Sequence, residues 1–370
     1  MKNTIGNNLC ITLFGESHGE MIGVVVDGLP AGIEINQELL EHQMRLRKAE
    51  GTISTGRHED DLVRFVSGVF EGKTTGMPCC MVIENKDQHS KDYSKTKDIA
   101  RPSHVDYVAD VKYAGYQDYR GGGHFSGRLT APLVAAGALA IQLLNQKGIF
   151  LGTHVKQLHT VIDDDFAEDE KVLLKQLTEI NGKKFALINN EVESDMIMAI
   201  ENARMNLDAV GGILETAILN FPVGIGEPTF DSIESKLSHA LFSIGAVKGV
   251  EFGLGFGFAD KYASEVNDQL KIKDGRIVTT TNNNGGINGG ISNGMPIRFK
   301  TVVKPTPSIA KKQHSVNFKT MEDTDLEIVG RHDPAIIHRA RVVVDSMVAL
   351  TLVDCLMDTY GRNYFMGDKK

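Results

Sequence analysis

The sequence predicts an α+β fold in a single domain spanning residues 1–370, and three observations carry that reading. Short apolar strands and helices interleave from one end of the chain to the other. No Pro- or Ser-rich linker and no shift in composition divides it. Its 38 glycines gather at the junctions between elements, where special backbone geometry is needed. A chain of 370 residues can bury a substantial core, and 41% apolar with 24% charged residues is ordinary for a soluble globular protein. The formal net charge of −8 argues against nucleic acid as a partner, so arginine clusters read as local basic pockets on an acidic surface. Cys10, Cys79, Cys80 and Cys355 have apolar surroundings and no CxxC spacing, which predicts reduced core thiols and no metal site. No charged-then-apolar leader opens the sequence and no apolar run is expected to reach the roughly 20 residues of a membrane span. The expectation is a cytoplasmic protein without membrane contact.

In chain order, residues 8–14 alternate as a strand and deliver Gly15-Glu16-Ser17-His18-Gly19 at its end; 21–26 form a second strand. Asn36 caps a helix over 37–48, with Leu39, Leu40 and Met44 on one face and Arg45, Arg47 and Lys48 at its C-terminal end. Such basic residues serve as dipole partners or as ligand contacts, and the nearby Ser54, Thr55, Arg57 and His58 favour the second role. Strands follow over 63–70 and 78–83, around a turn at 72–76, and 84–98 is a solvated connection.

Residues 101–130 concentrate the chemistry. His104 and His124, Arg101, Arg120 and Arg128, Gly121, Gly122 and Gly123, and Ser126 all precede an Ala- and Leu-rich helix over 129–146, with Pro132 in its first turn and Gly148 past its end. A glycine-rich loop running into a helix N-terminus exposes backbone N–H groups to an anion, and the interleaved cations make it a phosphate or carboxylate site. A flexible turn capped by Ser126 is the bland alternative.

Beyond it, 149–155 is a short strand and 163–182 is charged and only weakly periodic. A helix over 191–207 places Met196, Met198, Ile200 and Ala203 in the core. Residues 211–222 are β-like, 230–244 form an amphipathic helix, and 246–258 alternate as a glycine-threaded strand. The cluster at 282–294, NNNGGINGGISNG, reads as an ordered turn system between β-rich flanks at 276–281 and 295–303. Lys304-Pro305-Thr306-Pro307-Ser308 follows at a strand end, then Gly330-Arg331-His332-Asp333-Pro334. A last helix over 341–360 packs its apolar residues on the core or on a partner subunit.

The segments GESHG at 15–19, RPSHVDY at 101–107, YRGGGHFSGR at 119–128, FSIGAVKGVE at 242–251, NGGISNG at 288–294, KPTPS at 304–308 and GRHDP at 330–334, taken in order over the whole chain, resemble the chorismate synthase family. The resemblance implies a single-domain β-α-β sandwich of antiparallel sheets and helices, assembled as a homotetramer. It implies reduced FMN as cofactor and an anti-1,4-elimination of phosphate and the C6 proton from 5-enolpyruvylshikimate 3-phosphate, giving chorismate. It further implies that His18 protonates the departing phosphate beside Ser17, that His104 stands beside the flavin ring, and that Asp333 removes the proton. Flavin contacts carried over by the resemblance are Arg47, the triplet His124-Phe125-Ser126, the pair Gly245-Ala246, Gly289, Lys304 to Ser308, and Arg331. Three departures stand out. Many members carry Arg-Ser-Ser at 124–126, Asn-Ala at 245–246 and Arg-Pro-Gly at 48–50. The second basic residue of the 45–58 loop is then open, with Arg57 a candidate.

The residue types suit that chemistry without the family name. A substrate with two carboxylates and a phosphate, plus a phosphorylated cofactor, needs cations in one cleft. Arg45, Arg47, Arg57, Arg120, Arg128, Lys304, Arg331 and Arg339 are the candidates, since arginine grips such anions bidentately. Histidine can carry a proton near neutral pH to a leaving phosphate. A metal phosphoesterase using His18, His104, His332 and Asp333 would need a tight ligand cluster such as HExxH, which is absent. A non-catalytic phosphometabolite-binding sensor would need the basic pocket but not dispersed histidines and an aspartate at loop tips. No dinucleotide fingerprint follows a strand, which favours an external flavin reductase, with NADPH as an indirect or external reductant, over self-reduction.

Overall fold

The computed structural model describes residues 3–49, 60–86, 97–328 and 333–366. Two five-stranded antiparallel sheets enclose two long helices. The first sheet runs Thr4–Ile5, Cys10–Gly15, Met21–Asp27, Cys79–Glu84, Arg64–Ser67; the second runs Val247–Phe252, Ile297–Val303, Gly212–Leu219, Phe150–Leu158, Val161–Ile162. The helix Thr130–Gln146 lies on the first sheet, the helix Ile337–Tyr360 lies on the second, and the two helices pack on each other. This is the β-α-β sandwich with antiparallel sheets that the sequence leads one to expect.

Why these segments take these places follows from their patterning. Met21–Asp27 is buried through Ile22, Val24 and Val26 and sits at the centre of its sheet, paired on both edges. Thr130–Gln146 is apolar all round and buried from Ala131 to Leu144, as a helix between two layers must be. By length and composition Gly127–Gln146 does reach a membrane span, contrary to the expectation, but 89% of its apolar 18-residue window is buried inside the sandwich. Gly137 lets the two central helices close on each other, because a Cβ there would stand 2.2 Å from Cβ of Ser346. One hydrophobic cluster runs from Leu9 to Phe365 through both sheets and both helices. Each fully buried aliphatic side chain in it contributes about 1.5–3 kcal/mol.

The weakly periodic region at 163–182 contains a well-formed helix, Glu170–Asn181, capped by the Asp169 carboxylate on the N–H groups of Lys171 and Val172. Its Leu173, Leu177 and Ile180 seal the outer face of the second sheet with Phe166 and Leu219. Two expected strands are interrupted. The 63–70 run breaks at Gly68 (φ 82°), and 246–258 ends as a strand at Phe252, because Gly253 (φ 55°) and Gly255 (φ 54°) turn the chain into a single 3₁₀ turn. The last helix begins at Ile337, four residues before the expected start, and 18 of its 24 residues are buried, so its apolar face belongs to the core. Of the four methionine-helix residues assigned to the core, Met196, Ile200 and Ala203 are buried and Met198 is exposed. The four cysteines form no disulfide; Cys79 and Cys355 lie in the core and Cys10 and Cys80 only partly so, and burial pushes Cys79 up to about 11 and Cys355 up to about 12, which makes both unreactive.

Candidate active site

The candidate site is made where loops from both sheets and the N-terminal ends of both central helices converge. The hairpin of Cys10–Gly15 and Met21–Asp27 presents Ser17 and His18 at its tip, both buried at 0% and 5% exposure. Against that tip lies the triple glycine, with all three residues at positive φ (56°, 84° and 54°). Side chains would be excluded there: a Cβ on Gly121 would fall 2.2 Å from Cε1 of His18 and 3.1 Å from Oγ of Ser17. The amide of Ser17 donates to the Gly123 carbonyl at 3.1 Å, and Nδ1 of His124 is 2.8 Å from the Gly15 carbonyl oxygen, so the two loops form one rigid floor. Ser126 caps the turn that follows by accepting from the Arg128 amide, and Phe125 stays 44% exposed with Tyr113 6.1 Å away.

Behind this floor sits a cationic cluster in which Arg128 is buried and Arg47 and Arg339 are partly so. Nη2 of Arg47 donates to Oδ2 of Asp61 at 2.7 Å and its Nη1 to Thr130 Oγ1 at 3.3 Å; Arg128 pairs with the other oxygen of Asp61 and donates from Nε to Asn85 at 3.0 Å. Asn85 in turn donates to the carbonyls of Glu16 and Gly19, which ties the cations to the His18 loop. Burial lowers the pKa of Arg47, Asp61 opposes that shift, and the like charges of Arg128 and Arg339 add to it. Arginine stays charged even so. Burial disfavours the Asp61 carboxylate too, but Arg47 and Arg128 outweigh it and hold its pKa below the usual range. Among the described residues Arg47 and Arg128 share the Asp61 carboxylate, and Arg339 pairs with Asp333. Nε of Arg47 and Oγ of Ser17 are buried with no hydrogen-bond partner among the described residues.

The opposite wall comes from 101–106, 245–246, 304–308 and 333–339. His104 follows Ser103, a non-glycine residue held at φ 58°, whose carbonyl accepts from Nζ of Lys304 at 2.7 Å. The Lys304 amide donates to the Ala246 carbonyl at 2.9 Å, and Nη1 of Arg101 reaches Oγ of Ser308 at 3.3 Å. Thr306 Oγ1 donates to the Asp333 carbonyl at 2.7 Å, and the Asp333 carboxylate pairs with Arg339. The two walls meet at the glycines, where a Cβ on Gly122 would be 4.0 Å from Cε1 of His104.

Direct contacts join Ser17, His18, His124, Ser126, Arg128 and Arg47 on one side, and His104, Ala246, Lys304, Thr306, Ser308, Asp333 and Arg339 stand on the other, with Phe125 beside Ser126 and Gly245, Pro305 and Pro307 on the same turns. Arg120 lies at the rim, bidentate with Asp118 at 2.8 Å. Burial works against that carboxylate, but the hydrogen bonds from Arg120, with a smaller contribution from nearby His18, hold its pKa low. Two candidates stand apart. Arg45 is exposed and bonded to Nδ1 of His42 at 2.8 Å, because a helix carries it about 200° round from Arg47. Gly289 is exposed at a hairpin tip whose neighbours bond to 222–233. Arg57 and Arg331 lie outside the described residues. Three residues of the site were not anticipated: Asp61 and Asn85, isolated in the sequence, and Asp106, whose signal is its place two residues after His104.

A site that gathers histidines and a cluster of guanidinium groups at loop tips suits an enzyme acting on a small phosphorylated or carboxylated molecule. The sequence model of the family described as chorismate synthase matches residues 9–357. A chorismate synthase of Pyrococcus abyssi is 44% identical over 352 residues, covering 95% of this chain and 97% of that protein. One of Methanobrevibacter smithii is 46% identical over 358 residues, with 96% of each covered. A crystal structure of chorismate synthase superposes with a TM-score of 0.75 at 27% identity, covering 96% of this chain and 94% of the other. The chain belongs to the chorismate synthase family, a family of lyases.

Proposed function

We propose that the protein converts 5-enolpyruvylshikimate 3-phosphate to chorismate by anti-1,4-elimination with reduced FMN, and that the cleft described above is where this happens. The observation that carries the reading is the placement of His18 and His104 on either side of one triple glycine, backed by the cationic cluster. The residues fit a phosphorylated planar cofactor and a triply anionic substrate. Ser17 Oγ and Arg47 Nε are buried polar atoms with donor capacity to spare, and Phe125 and Tyr113 offer apolar surface. His124, Phe125, Ser126, the 245–246 turn, Lys304 to Ser308 and Arg331 would hold the flavin, with Gly289 contributing from its hairpin tip. Arg128 and Arg339, with Ser17, Arg120 and Arg57, would hold the substrate's anionic groups, and Arg47, a flavin contact by the resemblance, joins Arg128 on Asp61 beside them; Arg45, exposed on another face of its helix, stands outside that group. Reduced flavin supplies transient electron density for cleaving the allylic C–O bond, with no net redox change.

Within that frame His18 donates a proton to the departing phosphate, and its burial against Gly121 fixes the ring for the transfer. Asp333, oriented by its ion pair with Arg339, takes the C6 proton. His104 holds its proton at the flavin-facing side of the cleft. The clustered guanidinium groups lower the cost of gathering anions and stabilise the phosphate as its charge grows.

The continuous core supports residues 1–370 as one unit. A homotetramer is supported by exposed Phe256 (86%), Leu270 (72%), Ile272 (73%) and Ile277 (65%), and the buried C-terminal helix plays no part in that argument. Flavin reduction by an external reductase, with NADPH as its electron source, is the simplest supply. The test is anaerobic incubation of the protein with substrate and chemically reduced FMN, following the diene absorbance of chorismate. Turnover is expected with reduced FMN and not with oxidised FMN plus NADPH. Substrate binding without turnover would instead identify a sensor.

A further inference from the structure

Asp106 opens the short helix Asp106–Lys112 and faces back into the cleft wall. Its Oδ1 lies 3.0 Å from Nδ1 of His104 and 2.6 Å from Nη2 of Arg101, and its Oδ2 accepts from the Arg101 amide at 3.0 Å and from Arg101 Nε at 2.8 Å. An ionised carboxylate can only accept, so the bond to His104 requires the hydrogen on Nδ1. Burial works against ionisation of Asp106, but the hydrogen bonds from Arg101 and His104 outweigh it and place its pKa far below the ordinary range. The Arg101 fork also fixes the plane of the carboxylate, as bidentate pairing does. With Nδ1 committed, Nε2 is the ring nitrogen left to exchange a proton with whatever occupies the cleft.

We propose that Asp106 is a positioning residue: by accepting from Nδ1–H it fixes the tautomer and ring orientation of His104, so that Nε2 is the working nitrogen. The inference rests on the reading of His104 as a proton carrier for the reaction proposed above. Arg101 extends the device, since its remaining Nη1 bonds Ser308 and Lys304 bonds the Ser103 carbonyl, so the histidine is held in register with the 304–308 loop. The competing role is purely structural. A carboxylate in the first turn of a helix is favourable there whatever it does for His104.

A double-substitution cycle with a spectroscopic readout separates the two. Asp106→Asn keeps the size of the side chain and can still accept from the Arg101 amide, but its NH₂ can donate to Nδ1 and release the Nε2–H tautomer. It should lower turnover about 10- to 100-fold, the usual cost of losing a partner that orients a histidine, with KM for the substrate little changed. In a His104→Ala background the same substitution should cost nothing further. In the ligand-free protein carrying ¹⁵N-labelled histidine, the resonance that disappears in His104→Ala should report Nδ1–H in the wild type and shift towards Nε2–H in Asp106→Asn. Wild-type turnover in Asp106→Asn, losses that add in full to those of His104→Ala, or an Nε2–H tautomer in the wild type would each overturn the proposal. Should Asp106→Asn not fold, the wild-type tautomer decides alone. Wild-type turnover in His104→Ala would remove the proton-carrier reading instead, leaving the tautomer readout to judge the hold of Asp106 on the ring.

Discussion

Among the described residues His154 and His104 are each held by a carboxylate within 3.0 Å, and they differ in what is left over. His154, on the second sheet, is fully buried; its Nδ1 lies 2.9 Å from Asp163 and its Nε2 2.8 Å from Glu215, with the Phe166 ring edge-on at 4.7 Å. Burial pulls its pKa down, but the hydrogen bonds it makes to both carboxylates more than offset this and raise it. Asp163 is occupied in turn by the amides of Ile188 and Asn189 at 2.7 and 2.8 Å. Every atom that could exchange a proton is engaged, so the assembly fastens the outer helix layer to the sheet. His104 is partly exposed, and among the described residues only its Nδ1 is engaged, which leaves Nε2 for exchange. Free valence and access, more than residue type, separate a reactive histidine from a fastening one.

Substitutions can break this contrast. The largest effect is expected at the cleft: His18→Ala, His104→Ala and Asp333→Asn should each lower turnover by about 10²- to 10⁴-fold, the range for a general acid or base, while substrate binding and flavin retention survive. The amide of Asp333→Asn keeps the shape but cannot take the proton. Stability should fall by only about 1 kcal/mol for His104→Ala, one hydrogen bond. On the fastening side, His154→Ala strands two buried carboxylates and should cost about 3–5 kcal/mol in denaturant unfolding, with turnover of the folded enzyme retained.

The pH dependence of stability sharpens the contrast with a smaller effect. The raised pKa of His154 means its contribution is complete below the unfolded value of about 6.5 and is lost as pH rises through the higher folded value. The lowered pKa of Asp163 contributes above an unfolded value of about 3.9 and is lost as pH falls through the folded one. The melting-temperature gap between wild type and His154→Gln should therefore be widest in between and close towards alkaline pH. The smallest effect is expected at Arg45→Ala, which sits outside the cleft. Stability should change by no more than about 0.5 kcal/mol and KM should hold, whereas a raised KM would return Arg45 to the substrate set.

Much of the cleft was legible because its chemistry is local in sequence. The glycines at 121–123 announce positive φ, and all three adopt it; the Ala- and Leu-rich run after them could only be a buried helix. His18 and His104 stand at strand and turn ends that glycine and proline mark. What stayed hidden depends on tertiary partners. Asp61 is an ordinary acidic residue until Arg47 and Arg128 close on it, and Asn85 until the His18 loop folds onto its amide. Arg45 and Arg47 read alike as basic residues at a helix end, and only the helical rotation between them sends one inward. The helix Glu170–Asn181 escaped notice because three apolar residues suffice to seal a sheet face when the remainder is solvated. The C-terminal helix seemed a candidate subunit surface because its apolar residues are so many, and they are so many because it is enclosed.

The most direct measurement sets the two histidines against each other, with anaerobic turnover on reduced FMN and unfolding midpoint determined for His104→Ala and His154→Ala in parallel. The account predicts a crossed result, in which His104→Ala loses turnover and keeps its midpoint, and His154→Ala loses its midpoint and keeps turnover. Near-native turnover in His104→Ala, or loss of turnover in folded His154→Ala to the same extent, would contradict it.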